Sequence, residues 1–275
     1  MRPARPALEC AALPTSDPRP SAAVRGAIGA IAFSLAAAQA QAETSFLPSG
    51  FVRLEGARYV ASDDDQVWST WVGAGVDLLK AGQVTFEFTA DLETIIGSEL
   101  RTFDPNQANY HLAGAMRVAV LGDEVIPFFH HVSRHEVDRP KMQAVDWNII
   151  GIRGRMNFAG GRAWVVAGVG HTLGDTPVGY GWELTLRGEA EPVRPLYAAS
   201  DVRYVNAEPV DFLPRGSFTD VSLEGGVRWH RGLHAIDLFA AFERRNDVFV
   251  QAPGVRDRML LGFRIGPVGR TRAPR

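Results

Sequence analysis

The amino-acid sequence predicts an all-β protein, a transmembrane antiparallel up-and-down β-barrel of about 12 strands. Three observations lead to this prediction. Apolar and polar residues alternate with a period of two in many segments, no run of about 18 apolar residues follows residue 42, and short connections alternate with long ones. Membrane-spanning barrels have an even number of strands, short turns at one end and longer loops at the other.

The alternation recurs in twelve segments after residue 42. In the third segment, Val84 and Phe86 lie on one face of a strand, whereas Thr85 and Glu87 lie on the other. The predicted strands are 50–60, 66–79, 83–94, 108–121, 124–134, 143–158, 162–172, 178–190, 195–206, 217–230, 233–245 and 256–266. The long connections, beginning with 61–65, then all fall at the same end of the barrel, which we expect to be external.

The same alternation is compatible with a soluble β-sandwich or a lipocalin-like barrel. Charged residues nevertheless concentrate on one strand face and large apolar residues on the other. The charged set includes Glu87, Arg153, Arg187 and Glu224, and the apolar set includes Phe86, Trp182, Trp229 and Phe263. In a membrane barrel the apolar set contacts lipid and the charges pair in the lumen. The number of Arg and Glu residues predicts a narrow or plugged interior.

The N-terminal region has the features of a secretory signal peptide, which we place within residues 1–42. Residues 24–42 contain a positive charge at Arg25, a short apolar run over 27–38 and a small-x-small cleavage site over 40–42. We therefore expect the mature chain to begin at Glu43 and the barrel to occupy 43–275. Residues 1–23 do not resemble the start of a signal peptide, so we regard them as a candidate mis-assigned start.

Composition restricts the location and the partners. The only cysteine, Cys10, precedes the signal, so the mature chain has no disulfide and no thiolate metal site. The net charge of −2 gives no reason to expect a nucleic-acid partner. A secreted, thiol-free barrel of this kind is expected in the bacterial outer membrane, with membrane lipids as its partners.

Polar residues interrupt the apolar face of the fifth and sixth strands. By the period of two, His131 and Ser133 lie on the apolar face of the fifth strand, and Asp146 and Asn148 lie on that of the sixth. The opposite face of the sixth strand carries Arg153 and is therefore the luminal face. All four residues lie beside the long connection between these strands, which places them on the lipid-facing outer rim. A polar residue there is costly, although less so than at mid-membrane.

These residue types fit the requirements of a serine hydrolase. A serine is a weak nucleophile unless a histidine accepts its proton, and the histidine needs a third group that fixes its tautomer. Positions i and i+2 of a strand lie about 6–7 Å apart on one face, so His131 and Ser133 are within side-chain reach. The third group is either Asn148 or Asp146 on the neighbouring strand.

The motif His131-Val132-Ser133, followed by a loop and Trp147-Asn148, resembles outer membrane phospholipase A. The resemblance implies a 12-stranded barrel in which His131 is the general base, Ser133 the nucleophile and Asn148 the orienting amide. The motif is also similar to the His-x-Ser of outer-membrane lipid A deacylases, in which an acidic third member would correspond to Asp146. The longer His-x-Ser-x-His pattern resembles uncharacterised bacterial outer-membrane proteins.

The sequence departs from the phospholipase pattern after the serine. Those enzymes have Asn-Gly there, which helps to form the oxyanion hole, whereas this chain has Arg134-His135. Calcium supports the phospholipases at a dimer interface, so the resemblance implies calcium as a candidate cofactor and a homodimer as a candidate assembly. No calcium ligands can be matched in this sequence.

The sequence therefore predicts an outer-membrane ester hydrolase acting on the acyl chains of phospholipid or lipid A. Arg134 and His135 are then expected to bind the anionic lipid. No zinc motif is present, because Arg139 stands where a second histidine would follow His135-Glu136. The alternative is a non-catalytic outer-membrane barrel, either a narrow channel or an envelope scaffold, with a histidine-rich rim that contacts lipid.

Overall fold

The computed structural model describes residues 43–138, 145–174, 178–210, 216–232, 234–246 and 254–267. Its strands are β1 (Thr44–Asp63), β2 (Gln66–Ala81), β3 (Val84–Gly97), β4 (Asp104–Val120), β5 (Asp123–Glu136), β6 (Val145–Phe158), β7 (Ala163–Leu173), β8 (Tyr180–Val193), β9 (Leu196–Ala207), β10 (Phe218–Arg231), β11 (His234–Arg245) and β12 (Arg256–Pro267). In the described part of the chain, no helix is long and apolar enough to cross a membrane. The predicted signal region, 1–42, lies outside the described residues.

The strands form one closed antiparallel barrel. Each strand pairs with its neighbours in sequence, and β12 returns to pair with β1 through contacts such as Gly56 with Phe263. The predicted 12-stranded up-and-down barrel is therefore confirmed. In a closed barrel the first and last strands pair with each other, which is how a sheet satisfies its backbone groups in a lipid environment.

Side chains alternate between the barrel interior and its outer surface along each strand. In β11, Ile236 and Leu238 are about half exposed on the outer surface, whereas Asp237 and Glu243 are buried inside. Apolar residues thus face outward and charged residues inward, which is the reverse of a soluble barrel. This arrangement is the one predicted from the charge pattern of the sequence.

Ion pairs occupy the lumen at several levels. At the end with the short turns, Arg264 contacts Glu55 at 2.7 Å and Glu224 at 2.6 Å. At the end with the long loops, the buried Arg245 contacts Glu93 at 2.7 Å. These paired side chains fill the interior, and they leave the outer surface apolar.

The first connection differs from the prediction. Residues 61–65 were expected to form a long loop, but β1 continues to Asp63 and only two residues separate it from β2. The Asp65 carboxylate contacts Arg256 at 2.9 Å, and Asp63 contacts Arg258. Because β12 supplies these two cations beside β1, the acidic residues pair there and the turn is held tight.

Candidate active site

The antiparallel register of β5 and β6 brings the predicted polar residues together. His131 is directly opposite Asn148, and Ser133 is directly opposite Asp146. All four are half-buried on the outer face, and they alternate with buried residues such as Val132 that point inward. The period of two thus gives the same orientation in the sequence and in the structure.

His131 and Asn148 form a hydrogen bond. The distance from His131 Nδ1 to Asn148 Oδ1 is 2.9 Å. A carbonyl oxygen only accepts, so Nδ1 carries the hydrogen and donates it. A neutral His131 therefore keeps Nε2 unprotonated, and this is the tautomer that a general base requires.

Ser133 contacts a different histidine from the one that the sequence suggested. Its Oγ lies 2.7 Å from His135 Nε2. The His135 ring packs edge-on against Tyr110 of β4, with ring centroids 5.5 Å apart and planes at 74°. Tyr110 is directly opposite Ser133 in the β4–β5 pair, so it forms one wall of the site.

The sequence did not predict that His135 and Tyr110 lie beside Ser133. His135 was expected to contact lipid, and its contact with the serine depends on side-chain rotamers that the sequence does not reveal. Tyr110 was not singled out at all. The sequence did contain one indication of Tyr110, since it is an aromatic residue on the outer face of the strand that precedes the motif.

Asp146, the alternative third member, lies opposite Ser133 without contacting His131. Among the described residues, the hydrogen bond found at the His131 ring is the one to Asn148. The geometry therefore favours the amide over the carboxylate as the group that orients His131.

Arg134 does not lie where a lipid-binding residue would. It is only 5% exposed, and its guanidinium group lies inside the barrel, 5.2 Å from the centre of the Trp147 ring. This position on the luminal side gives no support to the expectation that Arg134 contacts lipid headgroups. The reason for the position is the strand periodicity, since Arg134 alternates with Ser133 and His135 and points to the opposite face.

A second histidine pair lies inside the barrel behind this site. His111 Nδ1 and His130 Nε2 are 3.2 Å apart, and His111 also packs against Trp71. Both histidines are buried on the luminal face, at 5% and 3% exposure. They belong to the interior polar network and do not reach Ser133, which is on the outer face of β5.

The resemblance to the phospholipases implied a calcium ion as a candidate cofactor. Within the described ranges, no group of three or more His, Cys, Asp and Glu side chains could hold a metal ion. Calcium can also bind backbone carbonyl oxygens and water, so it stays a candidate that only the resemblance implies.

Comparisons with known proteins show the fold and do not show a family. No family model matches the chain, and no curated protein matches its sequence. The structure is similar to the Salmonella typhi outer membrane phospholipase dimer with bound calcium, with a TM-score of 0.54 and 9% identity over 79% of this chain and 90% of that chain. It is also similar to outer membrane phospholipase A from Escherichia coli, with a TM-score of 0.53 and 8% identity over 82% of this chain and 98% of that chain. The chain thus has the fold of a bacterial outer-membrane β-barrel.

Proposed function

We propose that this protein is an outer-membrane hydrolase that cleaves ester-linked acyl chains from envelope lipids, either phospholipid or lipid A. The observation that carries the proposal is the 2.9 Å bond from His131 to Asn148, on the same outer face as Ser133. A serine, a histidine with a fixed tautomer and an orienting amide are the parts of a serine hydrolase. Polar residues on a lipid-facing surface lower the stability of a barrel, so their presence here favours a function.

The proposed reaction uses Ser133 as the nucleophile. Its Oγ attacks the ester carbonyl carbon, its proton passes to His131 Nε2, and the carbonyl electrons move to oxygen to form a tetrahedral oxyanion. Collapse of the oxyanion breaks the bond to the alcohol, which takes the proton from His131. Water then attacks the acyl-enzyme by the same steps, so that a fatty acid is released and Ser133 is regenerated.

Two features of the site favour a lipid substrate. The candidate residues face outward, where a barrel of this type meets the membrane. The same face continues toward the short-turn end with Leu112, Phe129 and Ile150, which are 41%, 43% and 51% exposed. An acyl chain can lie along these side chains while its ester group reaches the polar residues at the rim.

The competing function is a non-catalytic outer-membrane barrel. The observation that favours it is that Ser133 contacts His135, whereas no hydrogen bond from Ser133 to the proposed base His131 is found among the described residues. In that case the rim histidines would contact lipid headgroups. The ion-paired lumen favours a scaffold over a wide channel within this alternative.

The decisive experiment measures acyl release by the refolded wild-type barrel and, in parallel, by the Ser133→Ala variant. Phospholipid, lysophospholipid and lipid A are each offered in mixed micelles, with added calcium and separately with a chelator. We expect fatty acid release that Ser133→Ala abolishes. Cross-linking in the same micelles tests the homodimer. If no substrate is cleaved under any of these conditions, the hydrolase proposal is wrong and the scaffold is favoured.

A further inference from the structure

We infer that His135 Nε2–H donates the hydrogen bond that stabilises the oxyanion formed when Ser133 attacks an ester, an inference that rests on the proposed hydrolase function. Catalysis of acyl transfer generally depends on donors aimed at the position where this negative charge develops. His135 Nε2 already lies 2.7 Å from Ser133 Oγ. The site also contains features that restrict which other groups could act as this donor.

The backbone near the nucleophile is committed to the sheet. Ser133 has register partners on both sides, Tyr110 in β4 and Asp146 in β6. Arg134 likewise lies between Asn109 and Val145. Backbone N–H groups of strands paired on both sides are used in the ladder. The amides of Ser133 and Arg134 are therefore not free to turn toward an oxyanion, and a side-chain donor beside Ser133 can take their place.

The two histidines that flank Ser133 have different surroundings, and the difference separates their roles. His131 Nδ1 donates to Asn148 Oδ1, which fixes an unprotonated Nε2 and stabilises the imidazolium that forms after proton transfer. His135 packs against the Tyr110 ring instead, and no hydrogen bond from its Nδ1 to a described residue is found. His131 thus has the surroundings of a general base, whereas His135 can act as a hydrogen-bond donor through Nε2–H.

One hydrogen-bond arrangement satisfies both roles. His135 Nε2–H donates to a lone pair of Ser133 Oγ, and the serine hydroxyl then has its own hydrogen free for His131 Nε2. During attack the oxyanion is bonded to the same carbon as Oγ. A donor that already contacts Oγ therefore needs only a small shift to reach the oxyanion. The proton stays on His135 throughout, so the proton balance of the reaction is unchanged.

A set of His135 variants tests this inference with the full barrel in mixed micelles. In His135→Gln, the amide Nε2–H can replace the imidazole donor but cannot act as a base. In His135→Phe and His135→Leu the donor is absent. His171→Ala serves as a control, because His171 lies on the outer face of β7 opposite Ile150, away from Ser133. Steady-state kcat and KM are measured against pH, and folding is checked by the mobility shift between boiled and unboiled samples.

We expect His135→Phe and His135→Leu to lower kcat by roughly 10²–10³-fold with little change in KM, as the loss of one oxyanion donor does. His135→Gln should stay within roughly 10-fold of the wild-type kcat and keep the acid limb of its pH profile, because the donor is restored. If His135 only packed against its neighbours, Gln would not restore kcat while Phe and Leu lower it. This pattern of rates therefore distinguishes a hydrogen-bond donor from a packing residue.

Other results would overturn the inference. If His135→Phe and His135→Leu fold and release acyl chains like the wild type, no donor is needed from this residue. If His135→Gln is as slow as His135→Phe while His131→Ala stays active, His135 is the base instead. If the wild type releases no acyl chain, the proposed function itself fails. That result differs from a failure of this inference alone, in which the wild type is active.

Discussion

Asn148 Oδ1 lies 2.9 Å from His131 Nδ1 across the β5–β6 pair. Asp146, two residues before Asn148 on β6, lies opposite Ser133 instead. This relationship makes Asn148 the orienting group of the proposed hydrolase. We expect Asn148→Ala to lower kcat by roughly 10–100-fold, because a hydrogen bond to a group that becomes charged is worth about 1.5–3 kcal/mol. Rates of fatty acid release from phospholipid micelles measure this loss.

Asp146→Ala is the matched comparison for that variant. It removes a carboxylate from the same strand face and leaves the His131–Asn148 bond intact, so kcat should change little. A severe loss in Asp146→Ala together with a mild loss in Asn148→Ala would show that the acidic group orients His131 and that the amide does not.

Ser133→Ala and His131→Ala should each remove nearly all acyl release. The nucleophile and its base act as a unit, so either change alone should cost roughly 10³-fold or more in kcat. His171→Ala should retain wild-type rates, since His171 is an outward-facing histidine that is not in contact with Ser133. All three proteins should keep the heat-dependent gel mobility of a folded barrel. Wild-type rates in both site variants would exclude this site from the reaction.

Acyl release should also depend on pH in a defined direction. His131 must be neutral to accept the proton of Ser133, and a protonated imidazole has no lone pair to offer. Activity should therefore fall as the pH is lowered, because acid protonates an imidazole base. The profile is measured on lipids whose headgroups keep their charge over the pH values used. A rate that does not fall on acidification would contradict the assignment of a histidine base.

The sequence predicted the barrel because a sheet that faces lipid on one side and a polar lumen on the other imposes a strict period of two. The same period placed His131, Ser133 and Asn148 correctly on the outer face. It could equally have excluded Arg134 from that face, since Arg134 is an odd number of residues from Ser133. The contact between Ser133 and His135 was beyond prediction, because it depends on rotamers chosen beside Tyr110 of another strand.

The length of the first external connection was also missed. Residues 61–65, which include Asp63 and Asp65, were predicted to form a long external connection. Their partners, Arg256 and Arg258, lie at the other end of the chain and become neighbours only when β12 closes the barrel. Pairings that depend on closure cannot be inferred from local periodicity.

The paired charges of the lumen predict a barrel that conducts poorly. Arg264 binds Glu55 and Glu224, and Arg228 binds Asp237 at 2.8 Å, so the cations and carboxylates of the interior neutralise one another across the available space. We expect the purified barrel to show small or no currents in planar bilayers. A large and steady open-channel current would mean that the interior is a pore, and would favour transport over hydrolysis.

The Arg245–Glu93 pair should contribute strongly to the stability of the barrel. Both side chains are buried, and Glu93 also accepts a hydrogen bond from Asn109 at 2.7 Å. Arg245→Met leaves the carboxylate buried without this cation, which we expect to lower the free energy of unfolding by about 3–5 kcal/mol. Urea titration of the barrel in lipid vesicles, followed by tryptophan fluorescence, measures the change.

Two further variants show whether this loss comes from the buried charge itself. Arg244→Met removes a neighbouring arginine whose pair with Asp257 is half exposed, so it should cost no more than about 1 kcal/mol. Glu93→Gln combined with Arg245→Met removes both charges and keeps an oxygen that can accept from Asn109. It should therefore recover much of the stability lost in Arg245→Met alone. If the double variant is as unstable as Arg245→Met, the loss arises from side-chain packing, and the lumen is held together by shape more than by charge.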